Sequence, residues 1–428
     1  MMSSSTSPVN ISAGVAVIDI TPTCGVAMSG FAARTKPAEG AHDRLSVRAV
    51  VLNDTALVVA DVIGISADMS ARIRQRCCLA ADNIVISALH NHGGPVSMAD
   101  RLSIQADAAW LERLEDACVT AINQAASNLQ PVTITAAHGS DPDVGRNRRH
   151  KDGPVDTALP LIRIRDSSGK MLALIINYAC HPVVLGADNL LWTADYPFYV
   201  REKLEEHYPD AVALFVTGAI GDVNTGHNAH ASVSLTATPD RTYENAERIG
   251  QKIVNAAMTA PEQQLHGAVS AQNMTIELTF ERREKQTPQE LFTLWQNEAK
   301  TAEPARRALL HYWCDWAKCK TLEPLKPLNA RISFLNWAGI GIAALPGEIF
   351  AQSGLNIRQA LQTYEFLLVA GFSDDNPGYI PPEDEYIHGG YEVDEAHRYY
   401  GQSATFAPGC AELLTNSIIL LAQKTTKE

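Results

Sequence analysis

Five stretches of this chain join an apolar run to a residue that can ligate a metal or move a proton, with Gly or Pro close by. They are Ser87-Ala88-Leu89-His90-Asn91-His92-Gly93-Gly94-Pro95, Tyr178-Ala179-Cys180-His181-Pro182, Gly221-Asp222-Val223-Asn224, Leu345-Pro346-Gly347-Glu348 and Asn376-Pro377-Gly378-Tyr379. Such a pattern places polar side chains at a sheet edge, where sites form in α/β folds. One stretch means little. Five, scattered through 428 residues, predict a single composite site holding zinc.

His90 and His92 are one residue apart. If the backbone stays extended past the strand, the two-residue period puts both rings on one side. Zinc takes imidazole nitrogens, and a His-x-His pair supplies two from one rigid element. A lone histidine such as His181 is by default a core residue; it becomes a ligand candidate because the site needs a donor from elsewhere in the chain. Glu348 offers either a carboxylate oxygen to the metal or a cap for the helix after it. Asp61, Asp195 and Asp222 follow apolar or aromatic stretches and are candidates to orient a histidine. Arg146, Arg148 and Arg149, with His150 and Lys151, form the one dense basic cluster. It reads as a solvated loop or as a clamp for substrate carboxylate or oxyanion charge.

The elements that must position these residues alternate. Strand-like runs at Val15–Ile20, Leu45–Leu52, Ala56–Asp61 and Ile84–Leu89 are interleaved with helical periodicity at Ala71–Ala80 and Trp110–Leu129. Further strands are predicted at Val132–Ala137, Leu159–Ile164, Met171–Tyr178, Ala213–Val216, Val269–Phe280, Ile332–Ala344 and Phe366–Val369, and helices at Pro197–Tyr208 and Cys410–Gln423. The fold class is therefore α/β, mixed β-sheets flanked by helices. Residues from Asn224 to about Asp240 read as a surface loop or flap. Thr287-Pro288-Gln289-Glu290 is a capping box that opens a Trp-rich helical insertion, about 287–322, read as packing or as a lid. With no repeat and no clear linker, one large domain over 11–424 is expected, preceded by a disordered N-terminus, 1–10.

A net charge of −13 argues against a nucleic-acid partner, since phosphate contacts need a basic face. No apolar stretch is long enough to span a bilayer, and no secretory signal is visible. The eight cysteines include no CxxC pair and read as reduced thiols, so a cytoplasmic enzyme is expected.

Taken in order, these motifs resemble the catalytic domain of the neutral/alkaline ceramidase family, zinc amidases that cleave an N-acyl bond. The similarity starts at Gly14-Val15-Ala16-Val17-Ile18-Asp19-Ile20-Thr21-Pro22 and passes through His42-Asp43-Arg44-Leu45, Ala60-Asp61-Val62-Ile63-Gly64-Ile65, the His90 segment and Gly145-Arg146-Asn147-Arg148. It continues through His181-Pro182, Gly221-Asp222-Val223 and Pro346-Gly347-Glu348 to Tyr379-Ile380-Pro381-Pro382-Glu383-Asp384-Glu385-Tyr386. The resemblance implies that His90, His181, Glu348 and Tyr379 hold the zinc, with His92 beside it as a hydrogen-bonding or proton-transfer group. It also implies that Arg146 lies near the substrate.

Two departures shape the expectation. Where the family has a serine with a catalytic role, this chain has Asn224, which can steady an oxyanion but cannot attack. Water activated by zinc is then the expected nucleophile. The family's immunoglobulin-like C-terminal domain and export signal are not visible either. The expected substrate is a small soluble amide, imide or lactone, anionic if Arg148 and Arg149 meet it, and the first reading of the activity is hydrolysis of a C–N bond. His92 or Asp222 moves protons in this scheme, and Arg146 or Asn224 steadies the oxyanion. The alternatives are ester or lactone cleavage, a lyase or isomerase step, or an inactive metal-containing binding protein. A homo-oligomer is left open.

Overall fold

The computed structural model describes residues 11–425 apart from 24, 100, 103–105, 228–237 and 321. The N-terminus, 1–10, and most of the expected flap after Asn224 lie outside the described residues.

The first sheet contains β1 (Ser12–Asp19), β2 (Ser46–Leu52), β3 (Thr55–Ala60), β4 (Ile84–Ala88), β5 (Gln130–Gly139), β6 (Leu159–Asp166), β7 (Met171–Tyr178) and β8 (Val212–Thr217). Their spatial order is β8-β7-β6-β5-β1-β2-β3-β4, and a short β9 (Gln263–Leu265) pairs with β5. Only β7–β8 and β3–β4 run parallel; the other pairs are antiparallel, so the sheet is mixed. The second sheet has the order β10 (Val269–Leu278), β11 (Leu328–Trp337), β12 (Ile340–Ala344) and β13 (Phe366–Ala370).

Helix α1 (Ala67–Arg76) packs against α2 (Ala108–Ser127); α2, α3 (Tyr196–His207) and α4 (Tyr243–Met258) pack on the first sheet. Ser66, Asp107 and Thr242 cap α1, α2 and α4 by accepting a backbone N–H from the first turn. The second sheet buries both faces by period-two alternation. Ile340, Ile342 and Ala344 join the core of the first sheet, while Ala343 and Leu345 face a second core with helix α8. That helix runs Cys410–Thr425. The result is mixed sheets flanked by helices, as the sequence predicts.

The predicted strand Ile332–Ala344 is in fact two. Ala338 (φ 56°) and Gly339 (φ 94°) form a two-residue turn between β11 and β12. Positive φ at both central positions matches the right-handed strand twist, and glycine tolerates it freely. The break lies in an apolar run where only one glycine marks it.

The Trp-rich segment forms a hairpin of α5 (Pro288–Ala299) and α6 (Pro304–Cys319), opened by the capping box at Thr287. Trp295, Trp313 and Trp316 surround the Arg398 guanidinium at 5.0, 4.6 and 5.8 Å. Trp313 Nε1 donates to Tyr399 Oη (2.9 Å), and Trp316 Nε1 to the Gln402 carbonyl (2.7 Å). The hairpin thus grips the 397–402 segment and shares a core with Tyr379 and Tyr400. Among the described residues, no helix is long and apolar enough to cross a membrane.

The two sheets meet where strands end. Gly371 N donates to Thr217 O, Ala88 N to Phe372 O and Asp374 N to Ile86 O, so the chain leaving β13 ties down β8 and β4. Asp61 belongs to this framework and not to a histidine: it accepts from Arg201 (2.5 and 3.0 Å) and from Ser46, fully buried. Removing one partner of such a pair strands a buried charge. Asp61→Ala should therefore cost about 3–5 kcal/mol in urea unfolding, while the folded fraction keeps its metal affinity.

Candidate metal centre

Strand β4 ends at Ala88, and His90 follows with φ 63°. The extended continuation assumed from the sequence does not occur. The left-handed residue is tolerated because its ring stacks on Phe372 (4.0 Å between centroids), its N–H donates to Val62 O and its Nδ1 to Ile63 O at 2.7 Å. His90 and His92 nevertheless meet, with ring centroids 5.0 Å apart. His181, three residues past β7, sits 5.0 Å from His90 on the same measure. One ring nitrogen from each of the three histidines lies within 4.8 Å of the others.

Backbone carbonyls set the tautomers. His181 Nδ1 donates to Ile220 O (2.7 Å), and His92 Nδ1 to Gly30 O (3.1 Å). With Nδ1–H committed, a neutral imidazole presents its Nε2 lone pair to the centre. Glu348 Oε2 lies 3.1 Å from His181 Nε2 and 3.4 Å from His90 Nε2. Glu348 is fully buried and does not cap α7 (Ala351–Ala360), whose N-cap is Phe350. It lies in a short parallel ladder opposite Tyr379, so these two ligand candidates are neighbours.

The electrostatics are those of a cation site. Burial pushes the His181 imidazole down to about 4, and burial with His90 and His181 nearby pushes His92 well below its usual value. Burial opposes ionisation of Glu348, but the histidines beside it outweigh that and hold its carboxyl well below the usual range. With Nδ1–H donated to Ile220 O, a neutral His181 turns its Nε2 lone pair to the Glu348 carboxylate. Acceptor against acceptor is repulsive unless a cation lies between them. The buried Nε2 atoms of His90 and His92 have no hydrogen-bond partner. Tetrahedral zinc with bonds of about 2.0–2.1 Å sets neighbouring donors about 3.3–3.4 Å apart, close to the Glu348 spacings. These residues fit the metal.

The remaining candidates are placed unevenly. Arg148 Nη2 donates to Tyr379 Oη and to Gly221 O, both at 2.9 Å. Burial disfavours the charge on Arg148, but Tyr379 and Glu392 outweigh it and raise its pKa. Burial raises the Tyr379 phenol well above its usual value, with Arg148 acting the other way. Arg149 pairs with Glu385 (2.8 Å) and Glu392 (2.6 Å), so the cations at 148 and 149 already have carboxylate partners. Arg146 is half-exposed and pairs with Asp143.

Asp222, lifted to about 6 by burial, accepts from Asn147 Nδ2 (2.7 Å) and Ala351 N (2.8 Å), tying the arginine loop to α7. Asn224 is engaged in its own turn: Oδ1 accepts from Gly226 and His227 N–H, and Nδ2 donates to His227 O. Asp195 caps α3. Sequence reasoning missed Tyr400, whose hydroxyl donates to Glu348 Oε1, and Glu392, which anchors both arginines. Both lie in an acidic, aromatic stretch without periodicity, so nothing local marks them.

With this geometry in hand, comparison with known proteins is decisive. Residues 11–306 match the N-terminal domain of the neutral/alkaline non-lysosomal ceramidases. This chain belongs to that family. Members of the family are hydrolases acting on the amide bond of ceramide. Neutral ceramidase A of Dictyostelium discoideum is 25% identical over 248 residues, covering 50% of this chain and 35% of its own length. The chain thus spans about a third of that curated relative. The neutral ceramidase crystal structure from Pseudomonas aeruginosa superimposes with a TM-score of 0.75 at 17% identity, covering 96% of this chain and 74% of that one. A ceramidase structure described as complexed with C2 gives 0.76 at 16% identity, covering 98% and 75%. At such identity these structures establish the ceramidase fold.

The His181 environment predicts a pH signature for the metal-free ceramidase-family chain. Unfolded, this imidazole takes a proton near its ordinary 6.5; folded, only near 4. Stability should therefore be lost as pH falls through that window, with no contribution from this group above it. Melting temperature against pH, compared with His181→Gln, checks this: the variant should show the shallower acid slope.

Proposed function

We propose that this chain is a zinc-dependent amidohydrolase that cleaves the N-acyl C–N bond of a small, soluble substrate, with His90, His181, Glu348 and Tyr379 holding the metal. The observation that carries the reading is the buried Glu348 carboxylate set against imidazole nitrogens with their Nδ1–H groups committed to carbonyls. When bound there, zinc supplies Lewis acidity that polarises the scissile carbonyl and acidifies water towards neutrality.

The chain's own residues do the rest. Tyr400 orients Glu348 by donating to the carboxylate oxygen that faces away from the histidines. Arg148, donating to Tyr379, favours the phenolate over the phenol, as a ligand oxygen requires. His92 is kept neutral and its Nε2 has no partner, so it is the group assigned to receive a proton from water and return it to the leaving amine. Asn224, bound within its own turn, is poorly placed to donate elsewhere. That favours attack by water over attack by a side chain, with Arg148, committed to Tyr379, Gly221 and Glu392, acting as a positioning residue for Tyr379. Asp222 serves as a positioning residue between the arginine loop and α7.

The test is turnover by the zinc-loaded chain of short-chain ceramide, N-acyl amino acids, and the matching esters and lactones. Amide cleavage is expected, with His90→Ala and His181→Ala each lowering kcat/KM by about 10³-fold or more. Full activity after chelation would contradict the reading. Ester or lactone turnover without amide turnover would move the chain to its alternative chemistry, and zinc binding without any turnover would make it a binding protein. Preference for ceramide over water-soluble amides would keep the bond and change the substrate class. Tyr400→Phe should leave KM nearly unchanged and lower kcat by about tenfold through the loosened carboxylate, with Tyr400→Ala no better.

A further inference from the structure

We propose that the cleft beside His92 is a subsite for an anionic group on the substrate, recognised by Arg34 and Lys36. The proposal rests on the amidohydrolase reading for what the ligand is, but anion binding can be measured without turnover.

The cleft has a volume of about 370 Å³, and its lining includes Met28, Phe31, Arg34, Lys36, Leu102 and Tyr312. One wall is built against the histidine cluster. The Phe31 ring lies 4.9 Å from the His92 ring. Gly30 (φ 102°) lets the loop press so closely that a Cβ there would stand 2.7 Å from the imidazole. The opposite wall belongs to the tyrosine side of the site. Leu102 N donates to the Tyr399 carbonyl at 2.6 Å, and Tyr312 Oη to the same oxygen at 3.2 Å, next to Tyr400. The cleft therefore lies against helix α6, between a loop that touches His92 and residues bonded to the Tyr399 carbonyl.

Its charge is uncompensated. Arg34 is buried at 7% exposure, and its guanidinium donates to carbonyl oxygens: Nη1 to Asn189, and Nη2 to Ser29 and to His92 (2.6 Å). Its Nε–H is buried without an acceptor, and among the described residues no carboxylate lies within ion-pair distance. Asp188 acts only at longer range. Lys36 stands exposed at the rim, and Asp315 on the other rim is already paired with Lys318. Carbonyl dipoles satisfy hydrogen bonds but do not neutralise a guanidinium, so the cleft retains net positive charge between apolar walls. An incoming carboxylate relieves it through charge-assisted contacts. Arg148 and Arg149 have partners and are not available for this role; Arg34 is.

The measurement is calorimetric binding of N-hexanoylglycine and its neutral twin, N-hexanoylglycinamide, to the full chain, zinc-loaded and chelator-treated. The acid should bind about tenfold tighter or more in both metal states. Lys36→Gln, exposed and no risk to folding, should reduce that advantage about threefold, and Arg34→Gln should remove it. Equal affinity for the two ligands, binding of neither, or an advantage untouched by Lys36→Gln would overturn the proposal. So would an advantage that disappears with the zinc, because the carboxylate would then be a metal ligand. Acid selectivity without amide cleavage would contradict the enzymatic reading alone.

Discussion

A carboxylate that faces two imidazole nitrogens in a dry interior is an unfavourable arrangement without a cation, and the architecture around this centre follows from holding it. Each imidazole is locked through Nδ1 by a backbone carbonyl, and the Glu348 carboxylate is held from behind by Tyr400. Charged donors and acceptors buried at this density are destabilising individually and become favourable only together with a metal.

That requirement explains why two sheets are needed. His90 leaves β4 and His181 leaves β7 of the first sheet, whereas Glu348 and Tyr379 follow β12 and β13 of the second. The crossing bonds that Gly371 N–H donates to Thr217 O, Ala88 N–H to Phe372 O and Asp374 N–H to Ile86 O fix the distance between the two halves. The tryptophan hairpin then presses the 397–402 segment, and with it Tyr400, against the centre.

Much of this was legible in the sequence for a physical reason: strand-end polar residues flanked by Gly or Pro are local signals. His90, His92, His181 and Glu348 were all visible that way, and so were the mixed α/β class and the Thr287 cap. Tyr379 was a ligand candidate through the family resemblance alone, since composition does not single out a tyrosine for that role. What stayed hidden depends on tertiary contact. The partners of Arg148 and Arg149 lie over 230 residues away, and Tyr400 has no periodic neighbours. The left-handed His90 and the Ala338-Gly339 turn break runs that read as continuous strand. The roles of Arg146 and Asn224 carried over from family motifs find them engaged with Asp143 and with their own turn, which side-chain type alone does not reveal.

The most direct measurement is anomalous diffraction at the zinc edge from crystals of the zinc-loaded chain. A single strong peak within bonding distance of His90 Nε2, His181 Nε2 and Glu348 Oε2 is predicted. No peak there, or zinc bound only at surface residues, would contradict the account.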